Sequence, residues 1–280
     1  MTDGIMKGNA DQPISRYYLE ELLPNSLMSS PVVSIRTFDK VSGVASLLPH
    51  HLETFTDSLV VTRDDQPVGI IGAVELLEGV LKNPTAAFFE NTTSEQIMNT
   101  DKLIILKPRT TLSELLQRWR QTRRAFAIIP NQYHGYSIIS ARKLLEIGAS
   151  CKTNISVSSI PKKNTITFRK DNSVREIISL MFENKTRKLV LKDTSFFISD
   201  RIIIEKITRE LNCLQNKDNF LEMKAEIFRL DEAKKISSDL KINEASKIMY
   251  DMQSPYLMIE NHVITPWDIA MILSSDEIYN

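Results

Sequence analysis

Apolar residues in this chain fall into short β-branched runs alternating with stretches spaced by three and four. These are the patterns of buried strands and amphipathic helices. The order strand, helix, strand, strand, helix recurs four times, the mark of a tandem-repeat architecture. The first unit predicts a strand at Val32–Ile35, a helix over Val41–Leu48, strands at Leu59–Val61 and Val68–Ile71, and a helix over Val74–Leu81. The second predicts Leu103–Leu106, a helix over Leu112–Thr122, strands Phe126–Ile129 and Tyr136–Ile139, and a closing helix carrying Lys143-Leu144-Leu145. The third predicts Thr165–Phe168, a helix over Val174–Asn184, Leu189–Leu191, Phe196–Ile198 and a helix over Ile202–Leu211. The fourth predicts Lys235-Ile236, a helix over Ile242–Met252, Tyr256–Ile259, Val263-Ile264 and a helix over Ile269–Leu273.

Polar turn formers join the hairpins at Arg63–Pro67, Pro130–Gly135 and Glu260-Asn261. Ser113-Glu114 and Asn243-Glu244 sit where first helical turns favour acids. Linkers are expected near Asn83-Pro84, from Gly148 to Ser156 and from Asn212 to Asp218. Residues 1–25 read as an N-terminal extension whose segment Ser15–Leu23 forms a short amphipathic helix stopped by Pro24.

The last unit carries the candidate chemistry. Its segment His262-Val263-Ile264-Thr265-Pro266-Trp267-Asp268 places Thr265 and Asp268 at a strand-to-helix turn. A hydroxyl and exposed backbone N–H groups there can meet a phosphate, and a carboxylate three residues on can accept from two ribose hydroxyls. The same spacing is also an ordinary helix N-cap, with Thr265 capping and Asp268 favouring the helix dipole.

Composition narrows the classes. Thirty-five basic residues balance thirty-five acidic ones, which argues against a general nucleic-acid binder. Arg118, Arg120, Arg123 and Arg124 cluster without the interleaved aromatics of a single-strand platform. Cys151 and Cys213 show no CxxC spacing, and the four histidines show no metal-ligand spacing, so no metal site is expected. Met1-Thr2-Asp3-Gly4 lacks the basic-then-apolar opening of a signal peptide, and no apolar run approaches a bilayer span. A cytoplasmic protein without membrane contact is the expectation. No GxSxG, Walker loop, GxGxxG or HExxH is present, so no catalytic residue is nominated and the chain reads as a non-enzyme.

The repeat plan resembles cystathionine-β-synthase-type (CBS) domains, which pair into Bateman modules. The resemblance rests on Leu27-Met28-Ser29-Ser30-Pro31-Val32-Val33 and Ile97-Met98 ahead of leading strands. Ile178-Ser179-Leu180-Met181 and Ala245–Met249 match the first helix, and Thr265-x-x-Asp268 ends the pattern G-h-h-T-x-x-D. It covers nearly the whole chain from about Ser26 and implies an α/β fold of four β-α-β-β-α CBS repeats. Repeats 1 and 2 would form one module over 26–148, and repeats 3 and 4 a second over 149–280. Such modules form a disk within one chain or pair with a second chain as a homodimer, and the sequence leaves both open.

The resemblance also implies adenosine-type ligands in clefts between paired repeats, the hydroxyl on phosphate and the acid on ribose. In the fourth repeat those residues are Thr265 and Asp268, with His262 where the family often has Gly. The second repeat places Lys143, and the third Ile202, where the ribose acid belongs, so neither can accept from a diol. The first keeps Gly69 and offers Gly72 and Glu75. In such pairs, basic residues of one repeat reach the phosphate held by its partner. Lys185, Arg187 and Lys188 of the third repeat are therefore expected to face Asp268, with Ile236 of the fourth repeat beside them, and Arg187 to work as its pair across the cleft. A weaker second site would use Gly72 and Glu75 with Arg123 or Arg124. Charge agrees: Ser158–Lys206 holds eleven basic and six acidic residues, and 207–280 eight basic and thirteen acidic.

The expected function is regulatory sensing of AMP, ADP or ATP, with a conformational change passed to an unidentified regulated protein. The alternatives are a ligand-free scaffold for dimerisation or docking, and an S-adenosyl-methionine or RNA binder.

Overall fold

Helices in this chain begin where side chains satisfy their free N–H groups. Thr111 accepts from Glu114 N–H at 3.2 Å while Glu114 accepts from Thr111 N–H at 2.8 Å, and Ser173 with Glu176 repeats the arrangement. A computed structural model describes residues 12–23, 31–53, 58–131, 135–209 and 220–279, with the backbone alone at 50–53. The expected helix stop at Pro24, the motif Leu27–Ser30, the turn residues 132–134 and the linker Asn212–Asp218 lie outside the described residues.

A short helix α1 (Leu19–Leu22) precedes the repeats. Repeat 1 contains β1 (Ser34–Arg36), α2 (Val41–Glu53), β2 (Ser58–Arg63), β3 (Gln66–Gly72) and α3 (Ala73–Lys82), followed by α4 (Ala86–Asn91) and α5 (Ser94–Ile97). Repeat 2 contains α6 (Leu112–Thr122), β4 (Phe126–Pro130), β5 (Tyr136–Ser140) and α7 (Ala141–Ser150). Repeat 3 contains β6 (Thr167–Phe168), α8 (Val174–Glu183), β7 (Lys188–Leu191), β8 (Phe196–Ser199) and α9 (Asp200–Arg209). A bridging strand β9 (Asp231–Glu232) leads into repeat 4, with β10 (Lys234–Lys235), α10 (Ile242–Asp251), β11 (Leu257–Ile259), β12 (His262–Ile264) and α11 (Pro266–Ile272).

The repeated sheet is a parallel leading strand beside an antiparallel hairpin. β1 runs parallel to β2, β6 to β7 and β10 to β11, while β2–β3, β4–β5, β7–β8 and β11–β12 are hairpins. Repeat 2 departs from expectation: Leu103–Leu106 makes only a parallel bridge from Ile105 to Ile128, and Ile105 stays exposed. The chain between repeats 3 and 4 is shared. β9 adds antiparallel to β8, and β10 pairs with β11.

Burial closes the four repeats on one another. Sheets of repeats 1 and 2 meet through Val60, Ile70, Phe126, Ile128 and Ile138. Those of repeats 3 and 4 meet through Val190, Phe197, Ala233, Met258 and Val263. Helices then join modules crosswise. Val44, Leu48 and Leu76 of repeat 1 share a core with Ile178, Ile203 and Ile207 of repeat 3. Leu116, Leu144 and Leu145 of repeat 2 share another with Ile242, Met249 and Ile269 of repeat 4. Gly148 permits the closest approach there, since a Cβ would lie 2.4 Å from Ser246 Oγ on α10. Each repeat thus touches one neighbour by its sheet and another by its helices, which gives a disk-like pseudo-symmetric arrangement. The N-terminal extension is seated on repeat 2: Leu19 and Leu23 enter its core, and Leu19 N–H donates to the Thr110 carbonyl at 3.0 Å.

Candidate functional site

The hairpins of repeats 3 and 4 leave a cleft of about 480 Å³ between β7, the end of β12 and the start of α11. Its size falls in the range of small-molecule sites. Thr265, Asp268, Lys185, Arg187 and Lys188 all line it, so five of the six residues expected at the primary site are brought together. Ile236 is the exception: its N–H continues the pairing to the Met258 carbonyl at 3.0 Å and its side chain packs against the core of repeats 2 and 4.

Thr265 caps α11. Its hydroxyl lies 3.3 Å from Asp268 N–H as acceptor, while Asp268 Oδ2 accepts from Thr265 N–H at 2.9 Å and from Thr265 Oγ1 at 2.6 Å. The capping geometry is therefore present, and it commits Oδ2. The other oxygen, Oδ1, accepts from Lys163 Nζ at 2.6 Å. Burial alone would push the Asp268 carboxyl up; the hydrogen bonds from Lys163 and Thr265 and the charges of Lys163 and Lys188 outweigh it and hold it below the usual carboxylate value.

Arg187 and Asp268 line the same cleft, as expected, while Arg187 Nε is held within repeat 3 by donating to Asp200 Oδ2 at 2.5 Å. The hairpin register explains it. Lys188 opposes Ser199, which sets the preceding Arg187 against the following Asp200. Burial works against the Arg187 charge, yet Asp200 beside it raises its pKa above the ordinary value. Lys188 is different. Its ammonium lies 5.3 Å from the Tyr256 ring centre and forms no ion pair among the described residues. Burial, reinforced by Lys163, pushes its pKa down to about 8 against the pull of Asp268 and Asp200. Tyr256, itself buried enough to be pushed up to about 12, forms the wall beneath it. Lys185 is an exposed residue at the rim in the left-handed region, with φ of 50°.

Trp267 lines the same cleft and stacks on the buried Trp119 of repeat 2, ring centres 6.4 Å apart and planes at 19°. Arg123 also lines this cleft instead of joining Glu75. It occupies a left-handed position at the end of α6, with φ of 58°. That turn sends Arg123 out and the next residue in.

The weaker first-module site is a closed ion pair. Arg124 and Glu75 are bonded to each other, each side chain 6% exposed. Gly72 N–H donates to the other Glu75 oxygen at 2.9 Å, and Arg124 adds a contact to Ser58 Oγ at 3.4 Å. Both carboxylate oxygens of Glu75 are thereby engaged. At the corresponding positions, Lys143 pairs with Glu146 at 3.8 Å and Ile202 is buried in the core of repeats 1 and 3. A second, shallower depression of about 760 Å³ lies where Lys152–Ser156 meets Asn243 and Tyr279, away from these residues. Among the described residues no group of three or more His, Cys, Asp or Glu could hold a metal ion, and no helix is long and apolar enough to cross a membrane.

Sequence reasoning missed Lys163, Asp200 and Tyr256. Asp200 was open to detection from the hairpin register. Lys163 lies in a linker after Pro161 with no motif around it, and only the folded chain brings it to Asp268.

No family model matches the chain, and no curated protein matches it either. Solved structures do. Protein MJ1225 from Methanocaldococcus jannaschii, proposed as an archaeal homolog of g-AMPK, superposes with a TM-score of 0.75 at 16% identity, over 90% of this chain and 98% of that one. An uncharacterized conserved protein from Pyrococcus horikoshii gives 0.52 at 11% identity, over 87% and 96%. The CBS-domain protein ATU1752 from Agrobacterium tumefaciens gives 0.40 at 18% identity, over 52% and 98%. The fold is that of a tandem CBS-type protein, and at these identities the fold is what is shared.

Proposed function

We propose that this chain is a non-catalytic regulatory protein that binds an adenine nucleotide, AMP, ADP or ATP, between repeats 3 and 4. The observation that carries the reading is Lys188, a part-buried amine that forms no ion pair among the described residues, facing a cleft whose opposite wall holds Asp268. A cation kept in low dielectric without a partner favours an incoming anion. Phosphate would lie among Lys188, Arg187 and Lys185, within reach of Arg123. The ribose diol would donate to Asp268, and Trp267 and Tyr256 offer apolar faces to the base. Arg123 and the Trp267–Trp119 stack belong to contacts between modules, so ligand in this cleft would bias how the modules sit and what surface they offer a regulated protein. Such a shift requires different affinity for the two arrangements. The solved archaeal protein proposed as a g-AMPK homolog supports the class. The buried free thiol of Cys151, pushed up to about 11, suits a reducing cytoplasm.

The rival reading, a ligand-free scaffold used for dimerisation or docking, is favoured by the self-satisfied Glu75–Arg124 pair and by Lys143 and Ile202 at the corresponding positions. Calorimetric titration with AMP, ADP, ATP and S-adenosyl-methionine separates the two. Saturable binding of an adenine nucleotide that is lost in Asp268→Ala supports the sensor. A folded, nucleotide-free protein giving no heat with any of them leaves the scaffold.

A further inference from the structure

We propose that Lys163 is an exchangeable counter-ion that makes this cleft select a phosphorylated nucleoside over the bare nucleoside. The inference rests on the nucleotide reading above and concerns how the site discriminates.

Asp268 has one oxygen, Oδ2, fixed by the helix cap. A ribose diol must therefore reach Oδ1, the oxygen that Lys163 covers at 2.6 Å. The two partners differ sharply in freedom: the Asp268 side chain is 6% exposed and that of Lys163 is 62% exposed. The carboxylate cannot leave, but the ammonium can swing on its four-carbon stem. The backbone beneath it is tied down. Lys162 pairs with Glu260 at 3.3 Å, Thr165 Oγ1 donates to the Asn261 carbonyl at 2.7 Å, and His262 Nδ1–H donates to the Lys163 carbonyl at 3.2 Å. Exchange is thus a side-chain motion about a fixed anchor.

The exchange is asymmetric between ligands. A nucleoside that takes Oδ1 replaces a charge-assisted bond with neutral hydroxyl donors and sends the ammonium to water. It brings no anion for Lys163 or for Lys188, which forms no ion pair among the described residues. A nucleotide brings that anion on the same molecule, so Lys163 passes from carboxylate to phosphate and both charges stay matched. Arg187 is no substitute for this exchange: its Nε is held by Asp200 rather than by Asp268, so it can meet phosphate but frees no oxygen for the ribose. Lys163 therefore penalises ligands without phosphate and rewards those with it.

The test is the ratio of AMP to adenosine affinity, measured calorimetrically in wild type, Lys163→Gln and Lys163→Arg. The ratio should fall about 10- to 100-fold in Lys163→Gln, the worth of one charge-assisted hydrogen bond, and be largely kept in Lys163→Arg. A ratio unchanged in Lys163→Gln, with both ligands weakened alike, overturns the exchange while leaving the nucleotide site standing. Wild type that binds neither ligand overturns the site itself and the inference with it. A ligand-free readout checks the latch: amine-reactive labelling of Lys163, followed by mass spectrometry, should speed up in Asp268→Asn. An equal labelling rate contradicts the latch.

Discussion

Lys188→Met should make the ligand-free protein more stable and at the same time weaken nucleotide binding. Lys188 opens β7 against Ser199, and its stem runs toward the Tyr256 ring. A pKa pushed down from 10.5 to about 8 means the charged form is disfavoured in the fold, by about 3 kcal/mol if the whole shift is converted. The side chain keeps partial access to solvent, so screening reduces this to about 1–2 kcal/mol. Methionine retains the stem and makes a favourable sulfur–aromatic contact. For a chain of this size the gain corresponds to roughly 2–5 °C in melting temperature at pH 7. AMP affinity should fall about 10- to 100-fold, because a charged hydrogen-bond donor is lost.

The pH dependence has a fixed sign. Between pH about 8 and 10.5 the unfolded chain holds one more proton at this lysine than the folded chain, so its contribution to stability rises with pH through that window. Below it both states are charged and the penalty is constant. The wild-type protein should therefore gain on Lys188→Met between pH 8 and 10.5 in thermal melts. A bound anion restores the proton, so AMP affinity should weaken above pH 8, and it should also weaken below about pH 6, where the AMP phosphate itself takes up a proton. A lower melting temperature for Lys188→Met at pH 7, or unchanged AMP affinity, would refute the reasoning.

Three further outcomes follow from the packing. Glu75→Ala leaves Arg124 charged and buried, and should cost about 3–5 kcal/mol, read as a drop in melting temperature with AMP binding at repeats 3 and 4 retained. Gly79→Ala would place a Cβ 2.1 Å from the Phe88 ring and push α3 from α4, a loss of about 1–3 kcal/mol measurable by denaturant titration. Asp268→Ala removes the acceptor for Thr265 N–H at the start of α11, and should cost about 1 kcal/mol, leaving a folded protein in which lost binding can be attributed to the site.

Much of the fold was legible because helix and strand periods differ and because capping residues mark helix starts. Glu114 and Glu244, expected near first helical turns, sit there and accept from the Thr111 and Lys241 N–H groups that open α6 and α10. The segment Leu103–Leu106 does lie parallel beside β4, but its pairing is limited to one bridge at Ile128, with Leu106 N–H donating to the Ile128 carbonyl and Ile128 N–H to the Ile104 carbonyl, too short a run to count as a strand. Within the site, Thr265 and Asp268 were legible because the cap is local. The partners were not, since charge pairing is decided by register and by the turn that precedes a strand. Arg187 goes to Asp200 through its own hairpin, and the left-handed Arg123 leaves Arg124, one of the two arginines expected there, to meet Glu75. Lys163 reaches Asp268 across 105 residues of sequence.

The most direct measurement is the crystal structure of the protein with AMP. The account predicts ribose hydroxyls on Asp268 Oδ1, phosphate among Lys163, Arg187 and Lys188, and the Lys163–Asp268 contact broken. AMP bound elsewhere, at the Glu75–Arg124 pair or in the depression beside Tyr279, would contradict it, as would an occupied cleft with that contact intact.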